Sequence, residues 1–235
     1  MTDCTHLFFD LDHTLWDTDM NAEESLRELF AELELESHGV PGFDAFHDAY
    51  HRHNDRLWGL YAENKVGKEA VKNHRFILTL QDFGIHDVNT AVFMADEFIR
   101  RTPHRTALIP GAIELLDELK GRYTLSIITN GFLEAQHIKM NASGLYPYFE
   151  HVFISEQVGC MKPDPKIFRH AMESAGATTA SACMMIGDTY QTDVYGALQS
   201  GMVPVHLNPG DEPPHPAPVI TIGNLLELKT VLGHS

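Results

Sequence analysis

Asp10 and Asp12 stand two residues apart, with a hydroxyl at Thr14 and no lysine or arginine close by in the chain. Where a strand ends, the chain is free to turn both carboxylates toward one point. Two such acids repel each other, and a divalent cation, which prefers oxygen ligands, relieves the repulsion. The chemistry this predicts is a Mg²⁺ site with Asp10 as a carboxylate nucleophile. The plain alternative is an acid pair on a loop. An Asp-x-Asp-x-Thr pattern is short and needs company to carry that chemistry.

Three further groups supply the company. Thr129-Asn130-Gly131 offers a hydroxyl, an amide and a glycine whose backbone N–H can approach an oxyanion. Lys162 precedes Pro163, which holds its backbone extended, and Asp164-Pro165 then starts a helix. Gly187-Asp188 places one carboxylate on a loop, and Asp193 places another near a first helical turn. Singly, each has a bland reading: an ordinary turn, a solvated surface lysine, an acid at a helix N-terminus. In order, each after a strand, they point to one site, because ligands of open α/β sheets bind beyond the carboxyl ends of the strands.

The elements that must position them follow from periodicity. Leu7 to Phe9 predicts a buried strand over Thr5–Phe9. From about Asp19 the pattern turns helical, with Leu26, Leu29, Phe30 and Leu33 on one face. Gly39 and Pro41 stop that helix. Three more helices follow, carrying Phe46 to Tyr61, Ile77 and Leu80, and Val88 to Ile99. No strand-like alternation interrupts them before Pro103.

Strands and helices then alternate. The predicted strands are Thr124–Thr129, His151–Ile154, Cys183–Ile186 and, as the last, Met202–Leu207. Pro209 to Pro218 reads as a proline-rich surface loop, and Leu225 to Leu232 as a closing helix. This order predicts an α/β fold, a doubly wound parallel sheet with an inserted all-helical domain. The core would take residues 1–17 and 104–235, and the insert residues 18–103.

Composition sets the limits. The 235 residues carry 33 acids against 17 bases, a formal net charge of −16. That excludes a nucleic-acid polymer or an anionic membrane as the natural partner. It also requires that any phosphate site be made locally positive by a metal or a lysine. The 15 histidines soften the charge near neutrality, and His51 and His53 read as a polar helix face. Cys4, Cys160 and Cys183 are few and widely spaced, which suits a reducing cytoplasmic setting; the latter two read as packing residues. No apolar run approaches membrane-spanning length.

In order and spacing the four groups resemble the motifs of the haloacid dehalogenase (HAD) superfamily of phosphohydrolases. They are Asp10-Leu-Asp12-His-Thr14, Thr129-Asn130-Gly131, Lys162-Pro163 and Gly187-Asp188 to Asp193. The resemblance implies a Rossmann-like core, with the helical insert as its cap. His13 stands where many members have glycine. A narrower resemblance is to the superfamily's house-cleaning pyrimidine 5′-nucleotidases. It rests on Phe9 to Leu15, Asn54-Asp-Arg-Leu-Trp58, Ile128 to Phe132 and Ile154 to Gly159.

The family resemblance implies an aspartyl-phosphate on Asp10. Mg²⁺ would be held by Asp10, the Asp12 backbone carbonyl and Asp188. Asp12 would be general acid and then base. Thr129, Asn130, Gly131 and Lys162 would bind the phosphoryl group, with Thr14 and Asp193 in support and Asn54 and Trp58 meeting substrate. The partner would be a small phosphorylated metabolite such as a nucleoside 5′-monophosphate, handled by a monomer or homodimer.

Other readings stay open at this stage. A phosphatase or mutase for a sugar phosphate fits the same motifs, as does a phosphate-binding protein with an inactive site. A hydrolytic dehalogenase needs neither Mg²⁺ nor the acid at Asp12. A phospho-accepting receiver domain lacks a long helical insert, and its acceptor follows a later strand.

Overall fold

The computed structural model describes residues 4–210 and 219–234. The chain divides into two compact units, one holding the residues up to Thr18 and from Thr106 onward, the other Asp19–Arg105.

The first unit is built on a six-stranded parallel sheet. Its strands are β1 (His6–Phe9), β2 (Thr124–Thr129), β3 (His151–Ile154), β4 (Cys183–Gly187), β5 (Val203–Leu207) and β6 (Ile220–Ile222). Their order is β3-β2-β1-β4-β5-β6, with every neighbouring pair parallel. The central strands β1, β2 and β4 are buried on both sides, as a parallel sheet covered by helices requires. Leu7 and Phe9 face one core with Leu125, Ile127, Met184 and Ile186. Phe8 faces the other with Ile128, Cys183 and Met185. Cys183 is buried and Cys160 is half-buried against that second core, the packing role expected of both.

The sheet helices are α5 (Ala112–Leu119), α6 (Leu133–Ala142), α7 (Ser155–Val158), α8 (Pro165–Ser174), α9 (Tyr195–Gln199) and α10 (Glu227–Leu232). Asp164 starts α8 as expected: its side chain accepts the Lys166 N–H, with Pro165 in the first turn.

One expectation is corrected. Val203–Leu207 is not the last strand, because β6 pairs beyond it at the sheet edge. Three residues are too few for periodicity to register them. The proline-rich stretch expected up to Pro218 lies outside the described residues from 211 on.

The second unit is all-helical, with α1 (Thr18–Glu32), α2 (Phe43–Ala62), α3 (Lys68–Asp82) and α4 (Val88–Arg101). Its core holds Leu26, Leu29, Phe46, Tyr50, Phe76, Leu80, Met94 and Phe98. Buried Arg75 lies with its guanidinium carbon 4.8 Å from the Phe98 ring centroid. No described helix is long and apolar enough to cross a membrane.

Candidate active site

The strand order runs outward from β1 in one direction and from β4 in the other, so the topological switch point lies between these two. That is where open α/β sheets leave a crevice for ligands. Asp10 follows β1 and Asp188 follows β4. Asp10 is fixed by its own backbone, whose N–H donates to Ile186 O at 2.9 Å.

A buried lysine organises the acids. Lys162 Nζ donates to Asp10 Oδ1 at 2.7 Å and to Asp193 Oδ1 at 2.6 Å. Lys162 and Asp193 are all but inaccessible to solvent. Asp193 Oδ2 accepts the Thr189 N–H at 3.1 Å, so both of its oxygens are engaged. It sits in a π-helical turn, Tyr190–Val194, just before α9. A Cβ on Gly187 would lie 2.3 Å from Asp193 Oδ2, so only glycine leaves room for this carboxylate.

Asp188 is held by hydroxyls. Thr14 Oγ1 donates to Asp188 Oδ1 at 3.1 Å and accepts the Asp188 N–H at 3.1 Å, while Thr189 Oγ1 donates to Oδ2 at 3.2 Å. His206 Nε2 lies 2.8 Å from the Asp188 carbonyl oxygen.

Asp12 faces different partners. Its Oδ1 lies 2.5 Å from Lys139 Nζ and 3.2 Å from Thr18 Oγ1. Its Oδ2 accepts from Gln136 Nε2 at 2.7 Å. Gln136 also donates to Thr129 Oγ1 at 2.6 Å, and Gly131 N–H donates to the same oxygen at 3.2 Å. With both lone pairs of Oγ1 occupied, the Thr129 O–H remains as a donor. The Asn130 side chain clips two loops together: Nδ2 donates to Lys162 O at 2.9 Å, and Oδ1 accepts the Lys162 N–H at 2.8 Å. The Lys162–Pro163 peptide is cis.

Electrostatics separate the acids. Burial pushes the Asp10 carboxyl up, Lys162 pulls it down, and Asp193 and Asp12 push it up again, for a net rise. Burial likewise raises Asp188 and Asp193. Asp12 goes the other way: burial alone would raise it, but Lys139 and Gln136 more than offset that and leave it low. Lys162 also rises, because Asp10 and Asp193 outweigh the effect of its burial.

The donor chemistry fits a hard divalent cation. Carboxylate oxygens of Asp10, Asp188 and Asp193 come within 4.8 Å of one another. Asp193 is fully buried and bound to the Lys162 ammonium, whereas Asp188 is half-buried and held only by neutral hydroxyls and Asp10 has one oxygen not bound by Lys162, so Asp10 and Asp188 are the carboxylates better placed for a metal. The Asp12 side chain is not in that group, so its expected share in metal binding would fall to its backbone carbonyl.

Thus Asp10, Asp188, Asp193, Lys162 and Thr14 come together as one cluster, and Asp12 and Thr129 as its neighbour. Asn54 and Trp58 belong to the helical unit. Asn54 Oδ1 accepts from Arg75 Nη1 at 3.1 Å, and half-buried Trp58 packs edge-on to Tyr61 at 5.7 Å. The sequence reading missed Gln136, Lys139, Thr189 and His206. A glutamine at a buried helix position, with Met140 four residues on, was the available signal.

Comparison with known proteins places the chain in a family. The family model for haloacid dehalogenase-like hydrolases matches residues 4–201. Pyrimidine 5′-nucleotidase YjjG of Escherichia coli K12 is 30% identical over 228 residues, covering 96% of this chain and 96% of YjjG. Pyrimidine 5′-nucleotidase PynA of Streptococcus pneumoniae is 33% identical, covering 86% of this chain and 83% of PynA. The crystal structure of the putative HAD-hydrolase YfnB from Bacillus subtilis, described as bound to magnesium, superposes with a TM-score of 0.86. YfnB is 29% identical there, over 97% of this chain and 98% of its own. A family match over most of the chain, with relatives at 30% and 33% identity over most of its length, makes this protein a member of the haloacid dehalogenase-like hydrolases.

Proposed function

We propose that the protein is a Mg²⁺-dependent phosphomonoesterase that works through an aspartyl-phosphate on Asp10, with nucleoside 5′-monophosphates, pyrimidine ones first, as substrates. The observation that carries this reading is the buried Lys162 bridge between Asp10 and Asp193, with Asp188 beside it. It presents a carboxylate nucleophile, a cation and a metal-type donor set at one point.

The roles follow from the contacts. Asp10 Oδ1 is engaged by Lys162, which leaves Oδ2 to attack phosphorus. The P–O ester bond breaks as the aspartyl-phosphate forms; Asp12, which rests as a carboxylate beside Lys139, first takes a proton from solvent and passes it to the leaving oxygen. A water then attacks phosphorus, Asp12 accepts its proton, and phosphate leaves with Asp10 regenerated. Lys162 has a third N–H beyond the two it gives to carboxylates, and Thr129 has its O–H; both are donors for phosphoryl oxygens. Asp10, the Asp12 carbonyl and Asp188 would hold Mg²⁺, whose charge would screen the nucleophile from the phosphate dianion.

The substrate class rests on the relatives named pyrimidine 5′-nucleotidases. Substrate choice is assigned to the helical insert, expected over residues 18–103 as the cap, where Trp58 offers a half-buried aromatic face. The test is a phosphatase screen over nucleotides, sugar phosphates and acyl phosphates, with Mg²⁺ or with EDTA. Phosphate release from pyrimidine nucleotides, abolished by EDTA, is expected. Preferred turnover of a sugar phosphate replaces the substrate clause, and an isomer in place of free phosphate makes the enzyme a mutase. Full activity in EDTA refutes the metal clause.

A further inference from the structure

Asp12 is gripped by both oxygens from one helix. Gln136 and Lys139, three residues apart on α6, lie on the same face of that helix. Gln136 reaches Oδ2 and Lys139 reaches Oδ1. A carboxylate only accepts, so the Gln136 amide must present its NH₂ here, and the neighbouring Thr129 oxygen also accepts. Lys139 is confined as well, with Nζ 4.3 Å from the Trp16 ring centroid.

The rest of the surroundings serve this grip. A Cβ on Gly131 would lie 2.1 Å from Gln136 Nε2, so the amide occupies space that only glycine leaves open. Leu133 N–H at the start of α6 donates to Glu156 Oε2 at 2.7 Å, which anchors the helix. Gln136 is fully buried, and its Oε1 has no hydrogen-bond partner among the described residues. A buried orphan acceptor is a cost, of the kind that functional sites tolerate for geometry.

We infer that Gln136 and Lys139 are positioning residues that fix the rotamer of the Asp12 carboxylate, and so set the rate of the two proton transfers assigned to it. This rests on the proposed phosphatase reading and extends it. Neither side chain is given a contact with substrate or metal. The effect of Lys139 should therefore fall on kcat, not on KM or on the Mg²⁺ requirement; Gln136 also holds the Thr129 hydroxyl, so its loss should reach KM as well as kcat. A misplacement of about 1 Å at a reacting group can cost ~10²-fold.

The experiment compares wild type with Lys139→Met, Lys139→Arg and Gln136→Leu on p-nitrophenyl phosphate and on a nucleoside 5′-monophosphate. Lys139→Met and Gln136→Leu should lower kcat on the nucleotide about 10–100-fold with the apparent Mg²⁺ constant within about twofold, and KM should hold within about twofold in Lys139→Met. Lys139→Arg keeps a cation at Oδ1 and should recover most of the loss. Phosphoenzyme trapped by acid quench with the nitrophenyl ester should rise in the first two variants, because its breakdown still needs Asp12 as base. A kcat unchanged in both variants, or a loss that Lys139→Arg does not relieve and that tracks a fall in Tm, overturns the inference. If Lys139→Met does not fold, Gln136→Leu and Lys139→Arg carry the same comparison. Failure of the phosphatase reading looks different: wild type would then release no phosphate and trap no phosphoenzyme.

Discussion

Thr14 is fully buried, and its hydroxyl both donates to Asp188 Oδ1 and accepts the Asp188 N–H. Thr14→Val keeps the shape and removes both bonds, so no cavity term enters. The lost donor served a carboxylate, worth about 1.5–3 kcal/mol, and the stranded N–H costs about 1–3 kcal/mol more where water cannot reach it. The variant should therefore lose about 1–3 kcal/mol of stability without metal, since Asp188 is only half-buried and water recovers part of the loss. If Asp188 is a metal ligand, freeing its carboxylate should raise the apparent Mg²⁺ constant for phosphatase activity about 10–100-fold. That range converts to ~1.4–2.8 kcal/mol, the size expected for the lost orienting bonds. Activity at saturating Mg²⁺ should return to within a few-fold of wild type, and Thr14→Ser should behave as wild type. The assay is a Mg²⁺ titration of phosphate release for the three proteins. An unchanged Mg²⁺ constant in Thr14→Val, with the expected loss of stability present, would refute the assignment of Asp188 as a ligand held by Thr14.

Asp12→Asn should lose roughly 10²–10⁴-fold on a nucleotide, yet give a burst of nitrophenolate near one equivalent followed by slow turnover; equal losses on both esters with no burst would remove Asp12 from the proton transfers. Burial raises Asp10, Asp188 and Asp193 above ordinary carboxylate values, so between the unfolded and folded pKa values the native state binds more protons than the unfolded chain, and without metal these groups lower stability as pH rises through that window. Mg²⁺ competes with those protons, so its Tm increase should be larger at about pH 7.5 than at about pH 5.5; an equal shift at both would contradict metal binding at these acids. Trp58→Ala should erase a preference for nucleotides over sugar phosphates with Tm nearly unchanged, because Trp58 is not among the side chains of the helical core; a large fall in Tm with the preference intact would assign it to packing.

The central strands were legible because short, mostly apolar segments between helical patterns suit a sheet covered on both faces. Thr124–Thr129 and His151–Ile154 fall where their residues predicted. The helix expected after Asp188 is real but divided, with a π-helical turn before α9. That turn buries Asp193 against Lys162, a tertiary demand invisible in local pattern. Lys162 was legible because its proline neighbour marks it, and its place after a strand fits the other groups. Lys139 was not, since a lysine on a short helix reads as solvated. Its partner Asp12 lies 127 residues away in sequence. Asn54, read as a substrate contact, has its carbonyl oxygen on Arg75, 21 residues away and within its own unit, a pairing that local pattern does not mark.

The charge of the site explains why a strongly acidic chain can gather acids further. Asp10, Asp12, Asp188 and Asp193 face Lys139 and Lys162, which leaves two negative charges unmatched. One divalent cation cancels them, so the metal-loaded site would be neutral before substrate arrives. The lysines are unequally shared. Lys162 serves Asp10 and Asp193, Lys139 serves Asp12, and Asp188 is held by the hydroxyls of Thr14 and Thr189. The carboxylate left to hydroxyls is the one with most to gain from a metal. The carboxylate given its own lysine is Asp12, the one to which the proposed reaction assigns the proton transfers. At about 0.15 M salt the remaining surface charge is screened beyond ~8 Å, so a phosphate dianion responds mainly to this local arrangement and not to the net −16.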